Sequence, residues 1–252
     1  MRCTICQLGL HLPKLVAAVQ GQPDTKDWRV YFKSEHDGTK SAWHDLPLSP
    51  EGAAANIFTF VNEIPRRSRA KFELVKEEKY NPIMQDAFKK QPGQPLRYFT
   101  YGDVPFNYGF VPCTWENPDH VDADTKCRGD GDPIDVVQLA AAPSQPGDYH
   151  AVRVLGVLGL VDEGETDWKI LAEPVTADSG FMTIDRVPTA VKETVVDWFR
   201  NYKTTDGKKQ NEFAFSGEIR GADDAIRIIQ ECAAQYQQLV SGRAGAHRYW
   251  LR

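Results

Sequence analysis

Residues 129–137 read Gly-Asp-Gly-Asp-Pro-Ile-Asp-Val-Val and bring Asp130, Asp132 and Asp135 within six positions. Carboxylates so close repel one another and stay ionised together only beside strong positive charge. A hard divalent cation supplies it. Magnesium takes carboxylate oxygens in a near-octahedral shell and keeps several waters, so aspartates opening on a cavity suit it better than an all-protein cage. Gly131 permits a tight turn and Pro133 fixes its own φ, which stiffens the loop where the carboxylates sit. Ile134, Val136 and Val137 then begin an apolar strand that would anchor the loop in a core. The competing reading is a solvated acidic turn leading into a strand.

At 252 residues the chain can bury a substantial core, and one large β-rich domain is favoured over two small ones. Lys and Arg number 30 against 35 Asp and Glu, a net charge of −5 with no basic block. That argues against nucleic acid or an anionic membrane as the main partner. No apolar run reaches the roughly 18 residues a membrane-spanning helix needs. The five cysteines are odd in number and scattered, which suits free thiols in a reducing compartment, here the cytoplasm.

Residues 1–28 read as an N-terminal extension, expected to be flexible, ahead of a single domain over 29–252. Met1 to Pro23 contains no acid, and Leu8 to Val19 suggests a short amphipathic helix. The absence of acids makes a mitochondrial or other organellar address the alternative to a cytoplasmic one. Cys3 and Cys6 form a C-x-x-C pair, but zinc would need two further ligands and no second such pair exists.

From residue 29 to about 170 the pattern is of strands. Arg29–Phe32 opens it, and Ile57–Ile64 is rich in β-branched and aromatic types and stops at Pro65. Residues 69–75 alternate, with Lys71, Glu73 and Val75 facing one way. On spacing alone Lys71 and Glu73 read as a surface pair. Arg97, in the run 96–99, and Tyr108, in the run 106–112, are phosphate-compatible donors that are also ordinary in strands. Residues 151–161, AVRVLGVLGLV, read as a central strand whose glycines mark bends. It ends in Asp162-Glu163-Gly164-Glu165-Thr166-Asp167-Trp168-Lys169, either an acidic hairpin turn or the mouth of a site. If the chain is extended again there, Asp167 and Lys169 share a face.

The last third switches to a helical period. Val191, Val195, Phe199 and Tyr202 mark a helix over 189–203. Ala225, Ile228, Ile229, Cys232, Ala233, Tyr236, Leu239 and Val240 mark a second, stopped by Gly242. Lys203, in the last turn of the first helix, complements the helix dipole on the simplest reading.

Two acidic clusters able to hold several magnesium ions, together with Lys71, Arg97, Lys169, Lys203, Tyr108 and Tyr202 as donors, suit phosphoryl transfer. Metals neutralise charge and make hydroxide from water, while fixed donors stabilise the leaving oxygens. No nucleophilic Ser, Cys or His motif is present, so direct attack by water is the simpler mechanism. There is no GxxxxGK[ST] loop for a nucleotide. A calcium-binding EF-hand fails on spacing: counted from Asp122, position six is Cys127 and position twelve is Pro133. A magnesium-dependent phosphohydrolase acting on nucleotides or polyphosphate remains the competing reading.

GDGDPID, with EIPR at 63–66, KFE at 71–73, NYG at 107–109, DEGETDWK at 162–169, YK at 202–203 and FAFSGE at 213–218, resembles the family I soluble inorganic pyrophosphatases. VYFK and HDLPL bring it nearest the eukaryotic branch. The resemblance implies an α+β, mainly β fold, a five-stranded OB-like barrel flanked by helices. It implies magnesium-dependent hydrolysis of pyrophosphate to two phosphates by a metal-activated water, with Mn2+ or Zn2+ as substitute ions. By position, Asp130, Asp135 and Asp167 resemble the ligands of the first metal, Asp135 bridging to a second. Asp162, Glu63 and Glu73 resemble supports for further metals. Asp132 matches the base on the attacking water, and Lys71, Arg97, Tyr108, Lys169, Tyr202 and Lys203 match the phosphate grip. A homodimer is implied too, although Arg67 stands where Trp is common near the dimer contact. Gly131 stands where Asn is common, a change expected to add flexibility, and the rim between Arg97 and Asn107 is shorter.

Overall fold

A computed structural model describes residues 9–89, 91–175, 180–245 and 248–251; the Cys3/Cys6 pair lies outside these residues. In chain order its strands are β1 (Leu15–Gln20), β2 (Arg29–Ser34), β3 (Gly38–Lys40), β4 (Ile57–Ile64), β5 (Phe72–Leu74), β6 (Ile83–Gln85) and β7 (Asn107–Phe110). These are followed by β8 (Arg128–Gly129), β9 (Asp135–Gln138), β10 (Tyr149–Asp162), β11 (Glu165–Pro174), β12 (Glu212–Phe213) and β13 (Arg220–Gly221). Two helices, α1 (Thr189–Asn201) and α2 (Ala222–Val240), complete a mainly β chain.

The central pairing returns to its starting strand. β10 pairs β4, β4 pairs β7, β7 pairs β9, β9 pairs β11, and β11 pairs β10. The long β10 makes this possible, because residues 149–153 pair β4 while residues 152–162 pair β11, with a bulge between Val154 and Gly156 where the strand turns the corner. The glycines in AVRVLGVLGLV therefore have separate tasks. Gly159 lets the Trp168 ring approach the strand closely, since a Cβ there would come within 2.7 Å of it.

Hydrophobic burial fixes the helices on this ring. α2 lays Ala225, Ile228, Ile229 and Cys232 against Phe58, Phe60, Val136 and Ile170. α1 buries Val195, Trp198 and Phe199 against Ile64, Val137, Leu158 and Leu171. Completely buried side chains of this size contribute roughly 1.5–3 kcal/mol each, so these stripes, more than helix propensity, hold both helices. Asp223 and Asp224 in the first turn of α2 add a favourable charge at its positive end. Val240, expected on the buried stripe, is 41% exposed.

β1, β2, β6 and β5 form a second sheet, with β3 on β2. This corrects the helix expected over 8–19: residues 15–20 are a strand in six-residue register with β2. Pro13 opposes a helix there, and the Tyr149 hydroxyl pins the strand by accepting from the Leu15 N–H at 2.7 Å and donating to the Pro13 carbonyl at 2.7 Å. Residues 96–99, read as a strand, make only isolated bridges at Leu96 and Tyr98. Among the described residues no helix is long and apolar enough to cross a membrane.

Candidate active site

The end of β4, β5, β7, the β8–β9 loop, the β10–β11 hairpin and the end of α1 surround one cavity of about 180 Å3. It is lined by Glu63, Glu73, Asp130, Asp132, Asp135, Asp162 and Asp167, and by Lys71, Arg97, Tyr108, Tyr202 and Lys203. Lys169 lies just beneath, 2% exposed, and bonds three of those residues. The 130s loop and the 162–169 hairpin thus open on the same side. Lys71 and Glu73 face the cavity rather than the outer surface, 2.7 Å apart, which corrects the surface pair that spacing favoured. Lys203 follows α1 and binds Asp162 at 2.5 Å, with Tyr202 donating to the same carboxylate at 3.1 Å.

Seven carboxylates line the cavity against Lys71, Arg97 and Lys203, with Lys169 beneath, and among the described residues Glu63 and Asp130 have no ion-pair partner. Burial and mutual repulsion therefore push protonation upward. The Asp167 carboxyl rises to about 8, driven first by burial and then by the charges of Asp135 and Asp162, with Lys169 opposing. Burial, then Asp132, raises Asp130; burial, then Asp135, raises Glu63. Burial lowers the Lys169 ammonium, but Asp135 and Asp167 outweigh it and hold the group charged. Burial, reinforced by the neighbouring carboxylates, keeps the Tyr108 and Tyr202 hydroxyls protonated and able to donate.

Three residues escaped the sequence reading. Glu116 is 2% exposed; one oxygen accepts the Trp168 N–H at 3.0 Å, and the other has no hydrogen-bond partner among the described residues. With Asp130 and Asp167 it offers three carboxylate oxygens within 4.8 Å of one another. Asp86 binds both Arg97, at 2.6 Å, and Lys71, at 3.3 Å. Lys76 ion-pairs with Asp132 and donates to the Gly131 carbonyl at 2.8 Å. In the sequence Glu116 and Asp86 are single acids, and Lys76 sits in a charged run that reads as solvated. Only an acid unexplained in an apolar stretch, as in Trp115-Glu116, hinted at a task.

A hard, all-oxygen donor set with a buried carboxylate oxygen left unsatisfied fits a divalent cation such as Mg2+ or Mn2+ better than zinc, which favours nitrogen and sulfur.

A model of the inorganic pyrophosphatase family matches residues 60–237. Mouse inorganic pyrophosphatase is 39% identical over 224 residues, covering 87% of this chain and 76% of that protein. Among solved structures, inorganic pyrophosphatase from Schistosoma japonicum superposes with a TM-score of 0.85 at 34% identity, covering 93% of this chain and 84% of that one. An N-terminally truncated vacuolar soluble pyrophosphatase of Trypanosoma cruzi, in complex with PPi, has a TM-score of 0.81 at 33% identity, covering 90% and 92%.

Proposed function

The chain belongs to the inorganic pyrophosphatase family, and on that premise we propose that it hydrolyses pyrophosphate to two phosphates with magnesium as its cofactor. It is an inorganic diphosphatase by kinship. The observation that carries the finer reading is the single cavity in which seven carboxylates face Lys71, Arg97 and Lys203. An excess of buried carboxylates calls for cations, and lysine and arginine beside them call for an anion that arrives with those cations.

Asp130, Asp135, Asp167, Asp162, Glu63 and Glu73 would hold the ions, with Glu116 behind Asp130 and Asp167. Bound magnesium would neutralise phosphate charge and lower the pKa of water. The protein supplies the rest. Lys71 and Arg97, joined by Asp86, would present two donors to one phosphate; Lys203, Tyr202, Tyr108 and Lys169, whose donors meet Asp162, Asp135 and Asp167, would turn to phosphate once cations hold those carboxylates. Charge growing on the bridging oxygen as the bond breaks meets donors already in place, which is where such contacts lower the barrier most. Asp132, about half exposed to the cavity, accepts the proton of the attacking water.

In the same reading the closed ring of β4, β7, β9, β11 and β10 is an OB-like barrel flanked by helices, and 29–252 is the catalytic unit. The free thiols of Cys127 and Cys232 support a reducing compartment, the cytoplasm. Sedimentation tests the homodimer. For the activity, turnover of pyrophosphate with magnesium should far exceed that of ATP and p-nitrophenyl phosphate. Equal rates on all three would make it a broad phosphohydrolase, and no turnover would overturn the reading.

A further inference from the structure

The segment after α2 returns to the acidic loop. The Trp250 N–H donates to the Lys76 carbonyl at 2.7 Å, and the Trp250 carbonyl accepts from the Asn81 amide at 3.3 Å and lies 3.1 Å from His44 Nε2. The Trp250 ring also rests against Tyr80, 5.1 Å between centroids. These fastenings hold Tyr249 against the loop. Its ring sits edge-on to Trp43 and Trp115, at 5.9 and 6.4 Å, and its hydroxyl donates to the Gly131 carbonyl at 3.3 Å.

The Lys76 ammonium stands 5.3 Å from the centre of the Tyr249 ring, donates to Gly131 and pairs with Asp132. Ring, ammonium and carboxylate therefore form a chain of contacts from the C-terminal segment to a cavity-lining residue. Gly131 has a φ of +82°, and a Cβ there would come within 2.6 Å of the Tyr249 hydroxyl. Loop and tyrosine are fitted to each other, which gives the glycine a tighter duty than added flexibility.

We propose that Tyr249 is a positioning residue for Asp132: the C-terminal segment clamps Lys76 and the Gly131 turn, and so fixes where the Asp132 carboxylate points. A lysine on a four-carbon stem samples many rotamers, and an aromatic face beneath the ammonium selects among them. The inference rests on Asp132 being the base of the reading above.

The test uses Tyr249→Leu, which keeps apolar contact with Trp43 and Trp115 but removes the π face and the hydroxyl, and Tyr249→Phe, which keeps the face. In the full chain Y249L should lower kcat about five- to tenfold, the size of a partly desolvated cation–π contact, with KM for magnesium pyrophosphate nearly unchanged. Y249F should restore most of that loss. In a Lys76→Met background Y249L should cost less than about twofold, because the two residues act through one contact. Hydrogen exchange of the amides of residues 129–135 should quicken in Y249L, a readout that needs no turnover. If the wild type fails to hydrolyse pyrophosphate yet exchange quickens, the functional reading falls and the clamp stands. Unchanged exchange and kcat in Y249L, or a full additive loss in the Y249L/K76M double variant, overturns the clamp.

Discussion

Asp135 and Lys169 are register partners in the parallel pairing of β9 with β11, and their side chains meet at 2.5 Å. The ladder that closes the ring thus also sets the ion pair at the floor of the cavity. The same ammonium reaches Asp167, two residues earlier on β11, and Tyr108 on β7 at 2.9 Å. One cation therefore joins three strands where burial leaves no water to compensate it.

Lys169→Met should expose that dependence. It leaves Asp135 and Asp167 facing each other without their shared cation, only the Tyr108 hydroxyl still donating to Asp135, and loss of one member of a buried pair typically costs about 3–5 kcal/mol. Urea unfolding in the presence of a chelator should show a loss of that size. Saturating magnesium should return part of it, since a cation can then take over the charge. Equal midpoints for wild type and K169M in chelator would refute the floor pair's role.

Asp132→Asn should separate proton transfer from ion binding. An amide cannot accept a proton, and loss of a general base typically costs about 10²–10⁴ in rate. Calorimetric titration with Mn2+ should give nearly wild-type affinity, because Asp132 points to Lys76 rather than into the Glu116, Asp130 and Asp167 group. Near-native turnover by D132N would remove the base assignment.

Much of this was legible in the residues, for physical reasons that differ from place to place. The period of 3.6 that buries Val195 and Phe199, or Ile228 and Cys232, is local, so both helices could be read directly. The β-branched run at 57–64 and its stop at Pro65 were local as well. Ring closure was not: β4 and β10 pair residues about 90 positions apart, and only tertiary register reveals it. The same limit explains Asp86. Its backbone N–H donates to the Lys71 carbonyl, and its carbonyl accepts from the Arg97 N–H, both at 2.8 Å, so three segments are tied together before their side chains meet. No spacing in the chain announces that knot. The strand at 15–20 was missed because its fate depends on the free edge of β2 rather than on its own sequence, and Val16 and Val19 remain 51% and 59% exposed.

Asp86→Ala follows from the knot. Lys71 and Arg97 lower the Asp86 carboxyl against the upward pull of burial, so the acid stays ionised between them. Without it the two cations repel and lose their spacing, and the phosphate they grip is bound less well. KM for magnesium pyrophosphate should rise about tenfold, near the 1.4 kcal/mol expected for one charge-assisted hydrogen bond, with kcat reduced less. Asp86→Asn should give an intermediate KM because its oxygen can still accept from Arg97. A fall in kcat alone, at constant KM, would contradict this placement.

The pH dependence of the metal-free protein should run against habit. Asp167 is raised from an unfolded value near 3.8 to about 8, so its protonated form favours the native state. That contribution is complete below about pH 4 and is lost as pH rises through about 8, where folding must hold an ionised carboxylate in a buried site. Asp130, Glu63 and Glu116 are shifted in the same direction by burial first and repulsion second, so they add to the slope. In chelator, the unfolding free energy from urea titrations should therefore fall between pH 5 and pH 8, by an amount on the order of several kcal/mol. Magnesium should reverse the trend, because each ion bound displaces protons and stabilises the charged carboxylates, so its stabilising effect should be larger at pH 8 than at pH 5. Proton release on adding magnesium near pH 7, read with an indicator in weak buffer, checks the same linkage. A chelated protein as stable at pH 8 as at pH 5, with no protons released on loading, would mean that the cavity's carboxylates are already balanced and need no ion.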